Sequence, residues 1–288
     1  MLVTGGAGML GRAVVAAASR LGHEVVAPAS SEVDIRDAVA IREAIAAAAP
    51  AAVINCAAWT DVDGAEAAED AALAVNGAGA GNVARAAADA GARIVHVSTD
   101  YVFDGATRSP WVESDPVAPV NAYGRTKLAG EEEVAAATAE HAIVRTAWLF
   151  GAGGRNFVDA MLGMAADRSE VSVVTDQVGR PTWTGHLAPA LVELAERRGD
   201  VGVFHASGPT ECSWYEFAIE IFDRAAELVR VLPVTSDRFP RPARRPAYSV
   251  LGTERDPGVH LPAWQEGLTS YLAQRGSLMD TALPGGGS

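Results

Sequence analysis

Leu2-Val3-Thr4-Gly5-Gly6-Ala7-Gly8-Met9-Leu10-Gly11 decides how the rest of the chain is read. An apolar triplet runs into glycines at 5, 8 and 11, and a helical run from Arg12 to Leu21 follows. Strand, glycine turn and helix in that order are the setting in which three glycines point to a dinucleotide site. Each has a steric reason: a tight turn, backbone access to a pyrophosphate, and close packing of helix on strand. The pyrophosphate would then lie at the positive end of the helix.

Outward from the turn, strands and helices alternate. His23 to Ala27 reads as a second strand, and Asp34 to Ala49 as a helix in which Asp34 or Asp37 serves as cap or adenine contact. Ala52-Val53-Ile54-Asn55-Cys56-Ala57-Ala58 is apolar nearly throughout, as a strand covered on both faces must be, and it ends in small residues. A loop from Trp59 to Glu66 enters a helical stretch reaching about Ala90, and Ala92 to Val97 is the fourth strand. This order predicts an α/β fold with a doubly wound parallel Rossmann sheet and right-handed crossovers. The second strand ends in Pro28-Ala29-Ser30-Ser31, without the acid that would bind a ribose 2′-hydroxyl and repel a 2′-phosphate. NADPH is therefore the expected cofactor, with Ser30 or Ser31 as donors, and NADH stays open.

Bulk properties narrow the class. The chain has 288 residues, 49% of them hydrophobic, enough for one large α/β domain with a smaller lobe. A net charge of −13 argues against a broad nucleic-acid surface, although local arginines can still hold an anionic ligand. Cys56 and Cys212 stand in no metal-ligand spacing, and no metal is expected. There is no run of about 18 apolar residues and no secretory leader, so neither a membrane partner nor export is expected and the cytoplasm is the default.

Val95-His96-Val97-Ser98-Thr99-Asp100-Tyr101 and, about twenty residues on, Asn121-Ala122-Tyr123-Gly124-Arg125-Thr126-Lys127 carry the chemistry. Tyr123 and Lys127 are one turn apart on a helix predicted from about Asn121 to Thr138, so they share a face. A tyrosine titrates near pH ~10, and a nearby ammonium is expected to lower that value. Such a phenol can protonate a carbonyl oxygen as hydride reaches the carbon. Lys127 can also hold the nicotinamide ribose. Thr99 or Ser98, at the carboxyl end of the fourth strand, can hold the carbonyl oxygen.

With these residues in view, the chain resembles the dTDP-4-dehydrorhamnose reductase family of the extended short-chain dehydrogenase/reductases. The resemblance rests on Val33-Asp34-Ile35, on Val53 to Glu66, on Ser98 to Gly105, on Asn121 to Glu131 and on Gln177 to Thr182. It implies a catalytic triad of Thr99, Tyr123 and Lys127. It implies cofactor contacts at Gly5, Gly8, Met9, Leu10, Asp34, Ile35, Ala57 and Ala58 as well as Tyr123 and Lys127. Val62, Asp63, Thr99, Asp100 and Trp148 would lie near a dTDP-linked 4-keto-6-deoxysugar. Trp59 replaces the family's usual Tyr, Cys56 a common Ala, and the first strand is short. Related dehydratases carry Thr-Asp-Glu after strand four. Here Thr99-Asp100-Tyr101 lacks the second carboxylate, which favours ketone reduction over loss of water. A monomer or a homodimer fits the family equally.

The remaining chain reads as a dinucleotide-binding domain over 1–150, a substrate lobe with segments returning to the sheet over 151–282, and a flexible tail at 283–288. Arg180 reads as a diphosphate partner or as an exposed arginine. Arg238 to Pro246 is basic and proline-rich, either an extended exposed loop or an attractor for a nucleotide diphosphate. Ser213 and Glu216 have the spacing of a capping box, and His205 reads as structural.

Overall fold

The computed structural model describes residues 1–282, so the tail expected at 283–288 lies outside the described residues. Its centre is a six-stranded parallel sheet. The first four strands are β1 (Leu2–Thr4), β2 (Ala52–Asn55), β3 (Arg93–Thr99) and β4 (His141–Thr146), hydrogen-bonded in that order. Gly202–Ser207 pairs with the outer side of β4, and Val259–His260 pairs with Gly202–Ser207. The chain past residue 200 thus returns to the sheet it began.

Alternate residues of these strands feed two apolar layers. Val3, Ile54, Val95, Val144 and Phe204 face the helices Met9–Arg20 and Thr184–Glu196. Leu2, Val53, Ile94 and Ile143 face the helices Ala38–Ala48 and Ala80–Asp89. The near-continuous apolar runs seen in the sequence are the mark of strands covered on both sides. A third cluster, around Phe150, Phe217, Trp264 and Tyr271, is the core of the lobe.

Local signals set several boundaries. Asp37 caps Ala38–Ala48 by accepting from Val39 N and Ala40 N. Asn121 caps Ala122–Ala137. Ser213 and Glu216 form the capping box of Trp214–Arg224. Two expectations need correction. The second strand shrinks to one bridge, Leu2 to Val26, with Val3 N donating to Val26 O and Val26 N to Met1 O. Pro28 has no N–H to extend that ladder. The helical stretch before Ala90 is broken into Val62–Ala67, Glu69–Leu73, a π turn at Ala74–Gly79 and Ala80–Asp89.

The glycine turn is held by contact as well as by conformation. Gly5 has φ +67°, and a Cβ on Gly11 would lie 2.1 Å from Gly5 O. No side chain is tolerated where helix and turn touch so closely. The turn sits where the chain goes to one side of β1 for Val26 and to the other for β2, the switch point at which such sheets bind ligands.

Candidate active site

Thr99 ends β3, and its hydroxyl accepts from Tyr101 N and donates to Asp100 Oδ1 at 3.0 Å. The chain then makes a single 3₁₀ turn, Asp100–Val102. Helix Ala122–Ala137 runs against that turn, and a Cβ on Gly124 would be 2.2 Å from Tyr101 O. This close approach brings Tyr123 edge-on to Tyr101, with ring centres 5.8 Å apart. Thr99, Asp100, Tyr123 and Lys127 therefore gather at the carboxyl edge of β3.

Burial dominates their electrostatics. It pushes the Tyr123 phenol up to about 12, opposed by the Thr99 hydroxyl beside it and reinforced by Asp100. The expectation that Lys127 lowers this value is not met. The lysine Nζ donates to Val97 O at 2.7 Å and lies 3.4 Å from His96 Nε2. Burial brings Lys127 itself down to about 8, with Glu131 acting in the opposite sense. Asp100 is raised to about 7 by burial, against the hydroxyls of Ser249 and Thr99. A protonated phenol suits a proton donor at neutral pH.

Gly5 and Gly8 shape the turn after β1, and Met9 and Leu10 open the helix that follows. A Cβ on Gly5 would strike Ala57 N at 2.7 Å, so Cys56 and Ala57 lie directly against the turn, with Ala58 next in the chain. A Cβ on Gly8 would meet only Gly5 O, at 3.2 Å, and Gly8 caps the helix without a side-chain hydrogen bond. The room beside Gly8 at this helix N-terminus fits the pyrophosphate of a dinucleotide. Ile35 is buried, whereas Asp34 forms a two-pronged ion pair with Arg36. The Arg36 side chain, which hydrogen-bonds Asp34, holds that carboxyl below the usual range.

The residues expected near the sugar divide into two groups. Val62 and Asp63 open the short helix capped by Asp61, and Asp63 is gripped by both terminal nitrogens of Arg245 and by Ala243 N. Arg245 also reaches the Tyr101 hydroxyl. Trp148 stacks on Trp214 with 3.5 Å between ring centres and has φ +48°. Arg180 turns inward, donating to Leu251 O at 2.6 Å with Glu211 and Tyr248 nearby. It is neither a free surface arginine nor directed at the triad. His205 is buried, hydrogen-bonded to the Trp111 and Gly252 carbonyls.

Asn76 has a positioning role that reading the sequence missed. Its amide accepts from Trp59 N and donates to Trp59 O and to Thr126 Oγ1, tying the loop after β2 to the helix that carries Tyr123 and Lys127. The π turn that presents it sits inside an Ala/Gly-rich helical run, and π turns recur at functional sites. A lone polar residue in such a run was the available signal.

A Rossmann sheet carrying a Thr–Tyr–Lys set beside a glycine turn defines a reductase of the extended short-chain type. The RmlD substrate binding domain family matches residues 1–276. The chain belongs to that family. It is 46% identical to a dTDP-4-keto-6-deoxy-D-glucose reductase of Streptomyces niveus, covering 93% of this chain and 91% of the relative. It is 42% identical to the dTDP-4-dehydrorhamnose reductase of Mycolicibacterium smegmatis, covering 99% and 88%. The crystal structure of dTDP-4-dehydrorhamnose reductase from Bacillus anthracis in complex with NADP superposes with a TM-score of 0.92 at 36% identity, over 95% of this chain and 98% of that one.

Proposed function

We propose that the chain reduces the C4 ketone of a dTDP-4-keto-6-deoxy-L-hexose with NADPH, converting dTDP-4-dehydro-L-rhamnose to dTDP-L-rhamnose in the cytoplasm. The observation that carries this reading is the convergence of Thr99, Tyr123 and Lys127 beside the glycine turn, with Tyr101 where a dehydratase has a carboxylate. Thr99 Oγ1 and the Tyr123 hydroxyl hold the carbonyl oxygen. A bound reduced nicotinamide supplies hydride to the carbon. Tyr123 gives its proton to the oxygen that becomes the new hydroxyl, and Lys127 holds the ribose. Tyr101 has no base strength at neutral pH, because burial raises its phenol above its ordinary value. Water loss therefore lacks the carboxylate base it needs.

Substrate recognition falls to a cavity of about 650 Å³ lined by Asp104, Gln177, Ser236, Arg241, Arg244 and Arg245. Three arginines in a chain of net charge −13 mark it for a diphosphate. Asp63 anchors the arginine segment and thus acts on the nucleotide end of the substrate. A second reading, a C4-ketoreductase of another dTDP-deoxysugar, is favoured by the Streptomyces relative. It uses the same residues.

Mixing the protein with NADPH and dTDP-4-keto-L-rhamnose should consume the NADPH absorbance and yield dTDP-L-rhamnose by NMR. Turnover only with other ketosugars would support the second reading, and none with any of them would overturn both. Tyr123→Phe should lower kcat by roughly 10²–10⁴-fold while leaving NADPH affinity within a few-fold. Full activity in that variant would sink the assignment.

A further inference from the structure

Beneath the catalytic lysine lies a polar row to which the reaction above gives no task. Thr4, Asn55 and His96 stand in register on β1, β2 and β3. Two residues earlier, on the same face, the row is Leu2, Val53 and Ile94, all fully buried. The sheet thus changes from apolar to polar in one step, without gaining exposure: Asn55 and His96 are 0% exposed and Thr4 3%. Burying such groups is costly unless every one is bonded.

The bonds run in one direction. Ala57 N, which can only donate, gives its hydrogen to Asn55 Oδ1 at 3.2 Å, and Thr4 Oγ1 donates to the same oxygen at 2.6 Å. The Asn55 amide is thereby oriented, and its Nδ2 faces His96 Nδ1 at 3.0 Å. Nδ1 must accept. Burial and the neighbouring Lys127 hold His96 well below its usual range, so the ring is neutral. Its single hydrogen is then on Nε2, which faces Lys127 Nζ at 3.4 Å. The contact is long, as two facing N–H groups require.

We propose that Thr4, Asn55 and His96 are positioning residues for Lys127: by locking the imidazole with its N–H toward Nζ, they deny the lysine a second acceptor on the sheet beside Val97 O and leave its other donors for the cofactor ribose. The groups around the lysine agree with this. Val97 O is its acceptor on β3, Glu131 on its own helix favours the ammonium, and Cys56 after β2 is a neutral thiol raised to about 12 by burial. Glu131 is itself engaged by Ser98 and Arg145. The row also runs from the strand that enters the glycine turn to the imidazole beside the lysine, so the pyrophosphate and the nicotinamide ribose of a bound dinucleotide would lie over one polar row.

The inference rests on the reading of Lys127 as the ribose-binding lysine, and its first test does not. ¹⁵N NMR of the imidazoles in the wild-type protein should show His96 with the hydrogen on Nε2. Finding it on Nδ1 would overturn the proposal without any variant. Asn55→Asp puts an acceptor opposite Nδ1, so the same spectrum should show the hydrogen moved there, leaving an Nε2 lone pair for Lys127. In that variant KM for NADPH should rise about tenfold with a smaller change in kcat, and the alkaline limb of kcat/KM should move up by about one pH unit. A transferred hydrogen with both quantities unchanged would show that the row is structural only. If the wild type reduces no ketosugar, the proposed function fails while the NMR result on His96 still stands.

Discussion

Helix Ala122–Ala137 carries one buried cation, Lys127, and packs on another, Arg145, and the two are held in opposite ways. Lys127 has a backbone carbonyl and an imidazole for neighbours and, among the described residues, no hydrogen-bonded carboxylate, and burial lowers it to about 8. One turn further along, Glu131 meets Arg145 through two parallel bonds of 2.9 and 2.7 Å and also accepts from Ser98 at 2.5 Å. Phe103 covers the arginine from its face. A buried pair bonded this fully is costly to break, whereas a buried charge without a carboxylate partner is pushed toward its neutral form. The Glu131–Arg145 pair is bonded to hold still, whereas Lys127 keeps donors that are not fixed by a carboxylate.

Substitution should separate the two. Lys127→Met should lower kcat/KM by roughly 10²–10⁴-fold while leaving the melting temperature unchanged or raised, because it deletes an unpaired buried charge. A large loss of stability with activity retained would reverse the contrast. Arg145→Met should do the opposite and cost about 3–5 kcal/mol in denaturant unfolding, since Glu131 is left charged and alone. Replacing both partners, Glu131→Leu with Arg145→Met, should recover most of that loss. The double variant should also move the alkaline limb of activity downward, because Glu131 favours the Lys127 ammonium.

Asp100 extends the comparison to an acid. Its hydrogen bonds among the described residues come from hydroxyls and backbone, and burial raises it from the ordinary carboxylate range to about 7. The folded state then holds a proton that the unfolded chain releases between roughly pH 4 and 7, so stability falls as pH rises through that window. In Asp100→Asn this component is absent. Melting curves of the variant and the wild type should therefore converge below about pH 4 and separate at about pH 8, with the variant the more stable. Equal separation at both values would mean that Asp100 is ionised throughout.

Much of this architecture was legible in the chain. The glycines at 5, 8 and 11, the buried runs of β2 to β4 and the four-residue spacing of Tyr123 and Lys127 all act through neighbours close in sequence. The caps at Asp37 and Ser213 belong to the same group, since a side chain reaching a backbone N–H two or three residues away is a local event. The second strand failed because pairing depends on a partner: only Val26 finds one, and Pro28 ends the ladder. Arg180 stayed ambiguous because nothing near it in the chain reveals that Leu251 O will receive it.

Reading residues in order thus determined the class of fold, the glycine turn proposed to receive a dinucleotide and the residue types able to reduce a ketone. Only the tertiary structure decided that Asp63 would grip Arg245 from 182 positions away, and that Thr4, Asn55 and His96 would line up under Lys127. It alone decided that Tyr123 keeps its proton while Lys127 nears neutrality. Helix periods, turns and caps are set within a few residues of chain. Desolvation and long-range pairing depend on what surrounds a group in space, which no local pattern encodes.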